Sequence, residues 1–246
     1  MAAEVDPAVL VADRALLGRS STAERVADIL RTRISEGHLA PGGKLSEDTI
    51  GKALGVSRNT LREAFRLLTH EKLLVHELNR GVFVRMLTVQ DVIDIYRVRR
   101  LVECSVVRHL GNPPYDLAAA EAAVAEGEQA AAAGDWLQVG TANTHFHDAV
   151  VALGESVRLN ELMRGVLAEL RLGFHVMGAR LRGFHESYLA RNRDILAALR
   201  SGAIVKAELL LADYLDDAEE ELVRTYAATI TAEAGRSQGE QERQGP

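Results

Sequence analysis

A single cysteine in 246 residues rules out a disulfide within the chain. No apolar run reaches about 18 residues, which argues against a membrane span, and acidic residues break up the short apolar patch near the N-terminus, so it does not read as a secretory signal. The sequence holds no phosphate-binding glycine loop, no nucleophile elbow and no HExxH helix. Cys104 stands inside a helical pattern without an activating base and reads as a small buried apolar residue. These absences exclude a disulfide-stapled scaffold and a membrane protein. They leave no catalytic residue, cofactor or metal to assign, and the expected setting is cytoplasmic.

What is present is concentrated in Ser46–Arg85. Ser46 is placed to cap a helix with Glu47 and Asp48 in its first turn, where the helix dipole favours negative charge. That helix ends near Leu54, Gly55 allows a tight turn, and Ser57 caps a second helix running to about His70. In the second helix Leu61, Ala64, Phe65 and Leu68 recur at helical period, whereas Arg58, Arg62 and Arg66 form a stripe at four-residue steps. Leu73, Val75, Val82 and Val84 then fall in two short alternating runs around Leu78–Gly81, the pattern of a β-hairpin. Upstream, Ser21 or Thr22 caps a helix with the apolar set Val26, Ile29, Leu30 and Ile34, which Gly37 ends. Three helices and a hairpin in this order have the shape of a winged DNA reader. Arginines on such a helix bond guanine edges or neutralise phosphates, Asn59 serves adenine or the backbone, and Arg80 and Gly81 at the hairpin tip suit a phosphate or the minor groove.

Net charge divides in the same way. Residues 40–86 carry eight Lys and Arg against five Asp and Glu, a balance of +3; residues 87–246 carry sixteen against twenty-four, or −8. A basic reader is thus joined to an acidic body, and phosphate contacts belong to one end. The body shows helix-period runs at about 88–110, 116–133, 135–153, 156–181, 186–200 and 203–229, with Gly111, Gly134, Gly154 and Gly202 as breaks and no strand-like alternation. The expected architecture is mainly α: an N-terminal arm at 1–20 with a short helix around Val9–Leu17, a winged helix-turn-helix domain at 21–86, an all-helical bundle at 87–230, and a disordered polar tail at 231–246.

The run LSEDTIGKALGVSRNTLREAFRLLTHEKLL followed by NRGVFV resembles the GntR family of bacterial transcription regulators. By that resemblance, the DNA contacts fall on Ser57, Arg58, Asn59, Thr60 and Arg62, with Gly81 in the wing. Asp48 stands where many relatives carry a DNA-touching Arg. The absence of that Arg contact implies an operator different from the common one, and Asp48 itself reads as dipole complementation at the helix start. DIYRVRRLVE at Asp91 onward, NTHFHDAVV at Asn143–Val151 and RNRDILAALRSG near Arg191 resemble the FCD ligand-binding domain of the FadR subgroup.

In that domain one Asp and three His often hold a metal; the matching positions here are Asn143, His147, Asn192 and Tyr214. Amides are poor ligands for a transition metal, and Tyr binds well only when deprotonated. The resemblance therefore implies a metal-free pocket in which these four, together with Arg99 of the Arg99/Glu103 pair, bind a small organic effector such as a carboxylate. Two bland readings stand beside it: the four side chains satisfy one another, and Arg99/Glu103 is an ordinary helical ion pair. The other histidines, His145, His175 and His185, are explained by surface or core positions. The function implied is a homodimeric, ligand-responsive repressor on an inverted-repeat DNA operator, with a metal-dependent sensor or enzyme, or an architectural DNA-binding protein, as the alternatives.

Overall fold

The computed structural model describes residues 21–177 and 181–243, with side chains through residue 228. The expected N-terminal arm lies outside the described residues. The chain opens with α1 (Thr22–Ser35), closed at its start by a complete capping box: Ser21 Oγ accepts from the Glu24 amide at 3.1 Å and Glu24 accepts from the Ser21 amide at 2.6 Å. A two-residue strand β1 (Lys44–Leu45) leads into α2 (Glu47–Leu54), capped by Ser46, and α3 (Arg58–His70), capped by Ser57. Gly55 between them adopts φ 65°, the left-handed conformation that lets the two helices meet at a tight turn.

Strands β2 (Leu74–Glu77) and β3 (Gly81–Val84) form the hairpin, and β1 completes a three-stranded antiparallel sheet in the order β1-β3-β2. Leu45 lies opposite Val82, and Leu74 opposite Val84.

Three local expectations differ from the structure. Strand β1 was not expected at all; two residues carry no periodicity. Leu74, not Val75, enters the core: Lys72 turns the chain through φ 59°, so Leu73 and Leu74 are both buried and Val75 is 37% exposed. Ile29 is 45% exposed, because the buried face of α1 runs through Ala23, Val26, Ala27, Leu30 and Ile34.

Among the described residues the body contains helices and no strand. Helix α4 (Val89–Arg99), begun by a Thr88/Asp91 capping box, passes through a π-helical turn at Arg100–Cys104 into the short α5 (Ser105–Arg108). Helices α6 (Ala118–Ala133), α7 (Trp136–Ala152), α8 (Val157–Met177), α9 (Leu181–Arg200) and α10 (Ile204–Arg243) complete the bundle. Helix α10 continues past the end expected near 229 and through most of the segment expected to be disordered; Ala, Glu, Gln and Arg favour helix there despite two glycines. Phe146, Val150, Met163, Ile195, Leu211, Leu215 and Leu222 fill the centre of the bundle. No helix among the described residues is long and apolar enough to cross a membrane.

Candidate nucleic-acid interface and buried polar cluster

Leu61, Ala64, Phe65 and Leu68 anchor one face of α3 in the core of the small domain, which turns Arg58, Asn59, Arg62 and Arg66 outward. Ser57 Oγ accepts from the Thr60 amide at 3.2 Å and lies 2.8 Å from Thr60 Oγ1, so these two hydroxyls fix the start of the helix. A cleft of about 540 Å³ separates α3 from the hairpin, lined by Glu47, Arg62, Phe65, Arg66, His76 and Val82. At the hairpin tip Asn79 and Gly81 both take positive φ, 61° and 109°, and the Arg80 guanidinium lies over the Phe83 ring at 5.4 Å. The acidic residues beside this face were read from sequence only as dipole partners. Asp48 also accepts a hydrogen bond from Arg58 at 2.8 Å, and Glu47 holds Arg62 at 3.0 Å.

The second set of residues lies inside the bundle, and the structure brings all five together. Asn143 Oδ1 accepts from Asn192 Nδ2 at 2.7 Å and from the Tyr214 hydroxyl at 2.9 Å, tying α7, α9 and α10 at one point. Beside it the His147 and Tyr214 rings lie 4.8 Å apart. His147 Nδ1 is 2.6 Å from Glu103 Oε2, and Arg99 Nε donates to Glu103 Oε1 at 2.8 Å. The Arg99 guanidinium also stacks over the Tyr96 ring at 4.9 Å. Arg99, Glu103 and His147 are all at most 1% exposed. The pair is therefore no ordinary helical ion pair. Glu103 and Tyr96 belong to the cluster although the sequence singled out neither as a site residue; the four-residue step from Arg99 to Glu103 was the available signal.

Charges so deeply buried constrain one another. Burial alone would raise the Glu103 carboxyl, but Arg99 and His147 beside it hold it below the usual carboxylate range. Burial lowers His147, against the pull of Glu103, so the ring is neutral near pH 7. Since Glu103 accepts at Nδ1, that nitrogen carries the hydrogen and Nε2 presents a lone pair. Burial pushes the Tyr214 hydroxyl far up, which keeps it protonated.

Within this cluster three buried atoms have no hydrogen-bond partner: Arg99 Nη2, His147 Nε2 and Asn192 Oδ1. They offer one cationic donor and two acceptors. The set does not fit the metal that the family's domain implies. Asn143 Oδ1 is occupied by two donors, Tyr214 stays protonated, and His147 alone offers a free nitrogen; no group of three or more His, Cys, Asp or Glu suited to a metal ion occurs among the described residues.

Helix α8 joins the two regions. Glu169 accepts from Arg85 at 2.8 Å and lies 3.5 Å from Lys72 Nζ, while Arg171 Nη2 donates to the Ser35 carbonyl at 2.9 Å, at the C-terminus of α1. His175 faces Gly37 so closely that a Cβ there would sit 3.0 Å from its Nδ1. The neighbouring Phe174 meets His185 edge-on at 4.7 Å, and His185 lies against Gly140, where a Cβ would come within 2.7 Å of its Nε2. Gly140 is one turn from Asn143 on α7. Of the histidines set aside from sequence, His145 is exposed and paired with Glu126, His185 is buried, and His175 is half-buried against the small domain.

Comparison with known proteins agrees with this division. Residues 22–84 match the model for bacterial regulatory proteins of the gntR family, and residues 94–217 match the FCD domain. The crystal structure of a transcriptional regulator GntR from Rhodococcus sp. RHA1 is 46% identical, covers 84% of this chain and 100% of its own, and superposes with a TM-score of 0.81. The Nta operon transcriptional regulator of Aminobacter aminovorans is 29% identical over 62% of this chain and 73% of its own. The gluconate operon transcriptional repressor of Bacillus licheniformis is 39% identical over 41% of each chain, so this chain spans about two fifths of the length of that repressor. With a winged helix-turn-helix in front and an FCD bundle behind, the chain belongs to the gntR family of bacterial transcription regulators, which are DNA-binding proteins and not enzymes.

Proposed function

We propose that the chain is a homodimeric repressor whose hold on an inverted-repeat operator is released by a small hydroxylated carboxylate bound in the bundle. The observation that carries this reading is the trio of unpartnered atoms. Arg99 Nη2 suits a carboxylate or carbonyl oxygen, and His147 Nε2 and Asn192 Oδ1 suit hydroxyl donors on the same molecule. A ligand of that kind would satisfy three groups whose burial without partners is costly, at about 1–3 kcal/mol each. On the DNA side, Ser57, Arg58, Asn59, Thr60 and Arg62 enter the major groove, with Arg80 and Gly81 at the flanking backbone or minor groove. A two-fold dimer matches a two-fold operator.

Release requires the body to influence the reader, and α8 supplies the physical connection. One segment of it touches α1, Lys72 and Arg85 of the reader, and Phe174 touches His185, which packs against Gly140 a turn from Asn143. The cluster is closed in the present state, so ligand entry must open the bundle, and an effector preferring the opened form shifts α8. Coupling of this kind is reciprocal: the factor by which effector weakens operator binding equals the factor by which operator weakens effector binding. The test is a panel of hydroxylated carboxylates scored by melting temperature and by operator titration. A compound that raises the melting temperature and weakens operator binding, with equal factors in both directions, is the expected result. A panel in which compounds bind without changing operator affinity would reject the coupling; one in which none binds would reject the effector class.

A further inference from the structure

Every arginine on the reading face is held by a carboxylate of its own chain. Arg58 Nη2 donates to Asp48 at 2.8 Å, Arg62 Nε to Glu47 at 3.0 and 3.1 Å, Arg66 Nη2 to Glu63 at 2.6 Å, and Arg80 pairs with Glu77. The Arg66 and Arg80 pairs are local, three residues apart. The Asp48 pair is different in kind. It joins the first turns of two helices, α2 and α3, at the end of the reading helix that meets base edges in this class of DNA reader. Both side chains remain open to an incoming duplex, Asp48 at 60% and Arg58 at 71% exposure.

We propose that Asp48 and Arg58 read the operator as one unit, a bonded donor and acceptor that recognises a G·C pair, and that Asp48 is a determinant of sequence specificity. The major-groove edge of G·C presents the guanine N7 and O6 acceptors followed by the cytosine N4 amino donor. Arg58, held by Asp48, presents guanidinium donors with carboxylate lone pairs beside them. Asp48 uses one oxygen on Arg58 and keeps the other for an amino group.

Away from such a base pair the same unit is unhelpful to binding. The carboxylate offsets the guanidinium, so the pair releases little counterion from the phosphates and adds little to non-specific affinity. Specificity is a difference between two affinities, and Asp48 lowers the wrong one. The cap of α2 does not depend on it, since Ser46 Oγ accepts from Thr49 and Glu47 also serves the helix dipole.

The experiment uses the full chain. Wild-type protein first enriches operators from random duplexes; wild type, D48N and R58A are then titrated on the enriched and a scrambled duplex through a salt series, with melting curves to verify folding. The wild type is expected to fix a G·C pair at one position in each half-site. D48N should bind the scrambled duplex more tightly, with a log–log salt slope steeper by about one. Its operator-to-scrambled ratio should fall about tenfold as the preference at that pair relaxes. R58A should lose the preference at the same base pair. D48N keeping the wild-type ratio and base preference, or the two variants relaxing different positions, would overturn the proposal. It rests on α3 being the reading helix; if wild type enriches no shared sequence, that assignment fails with it, whereas a shared sequence indifferent to D48N removes Asp48 alone.

Discussion

The same chemical pair, arginine with carboxylate, occurs at the surface of the reader and in the centre of the bundle, and the two cases have opposite consequences. Asp48–Arg58 and Glu47–Arg62 stand in water, where exposed pairs of this type are worth about 0–1 kcal/mol. Rearranging either pair at a DNA surface therefore costs little: Asp48 can stay on Arg58 while both face a base pair, and Glu47 can give up Arg62. Arg99–Glu103 is sealed from solvent with His147 as its third member, and taking one partner away strands a charge in a medium that cannot solvate it. Identical functional groups thus give an exchangeable contact in one place and a fixed scaffold in the other. The dielectric around the pair decides which.

Breaking the buried side of this comparison should give the largest effect. Glu103→Ala leaves Arg99 unpaired and should cost about 3–5 kcal/mol in denaturant unfolding. The double variant Arg99→Met with Glu103→Leu sharpens the point: it should recover part of that loss, because an apolar pair has no desolvation penalty while His147 Nδ1 still loses its acceptor, yet lose response to any carboxylate. A double variant as unstable as Glu103→Ala would show that shape, and not charge, is what the site requires.

Gly140→Ala comes next. Its Cβ would sit 2.7 Å from His185 Nε2 and 3.3 Å from Phe174, and overpacking of this type costs about 1–3 kcal/mol. Thermal unfolding measures that loss, and the ratio of operator affinities with and without effector should also change, as the strain falls first on His185 of α9 and then on Phe174 of α8, the pair that links α7 to α8.

His185 contributes a pH dependence. Burial, aided by Arg171, lowers its folded-state pKa to about 3, against about 6.5 in the unfolded chain. Below pH 6.5 the unfolded chain gains a proton that the folded one refuses, so stability falls as pH drops toward 3 and is fully present above 6.5. Between pH 7 and pH 5 the loss should be about 2 kcal/mol. His185→Leu should remove that part of the slope; an unchanged slope in urea melts at both pH values would assign the acid sensitivity elsewhere.

The smallest effect on the fold belongs to the exposed side. Arg62→Ala should change stability by less than about 1 kcal/mol and still lose operator affinity in a mobility-shift titration. Equal binding by wild type and variant would remove Arg62 from the reading face. Elemental analysis of purified protein adds a check on the bundle: the expected result is no stoichiometric zinc, and one metal per chain would contradict the reading of Asn143, Asn192 and Tyr214 as hydrogen-bonding groups.

Much of the reader was legible because its information is local. Ser21, Ser46 and Ser57 announce helix starts, and the apolar period of Leu61, Ala64, Phe65 and Leu68 assigns the faces of α3 without reference to any other element. Val75 differs for an equally local reason: the alternation starts at Leu73, which follows the left-handed Lys72 and lies outside β2, whereas the strand's own register starts at Leu74.

The bundle cluster was legible only through family resemblance, since Asn143, Asn192 and Tyr214 are unremarkable residues until three helices bring them together. Glu103 meets His147 across 44 residues of chain, and Arg85 meets Glu169 across 84. No pattern within a helix encodes partners so distant. The π-helical turn at Arg100–Cys104, which buries Glu103 and Cys104 side by side, likewise has no periodic signal of its own.

The grip of α8 on the reader has a mechanical corollary. The reader contacts on this helix run from Glu169 to His175, and His175 lies about 18 Å along it from Met163 in the bundle core, so a tilt of about 10° about Met163 carries His175 by about 3 Å. In the proposed two-fold dimer such a tilt occurs at both readers, related by the two-fold rotation, so the part of each displacement directed away from the axis counts twice in the distance between them. In that proposed dimer a small change at the bundle centre would take the two reading helices out of phase with successive major grooves.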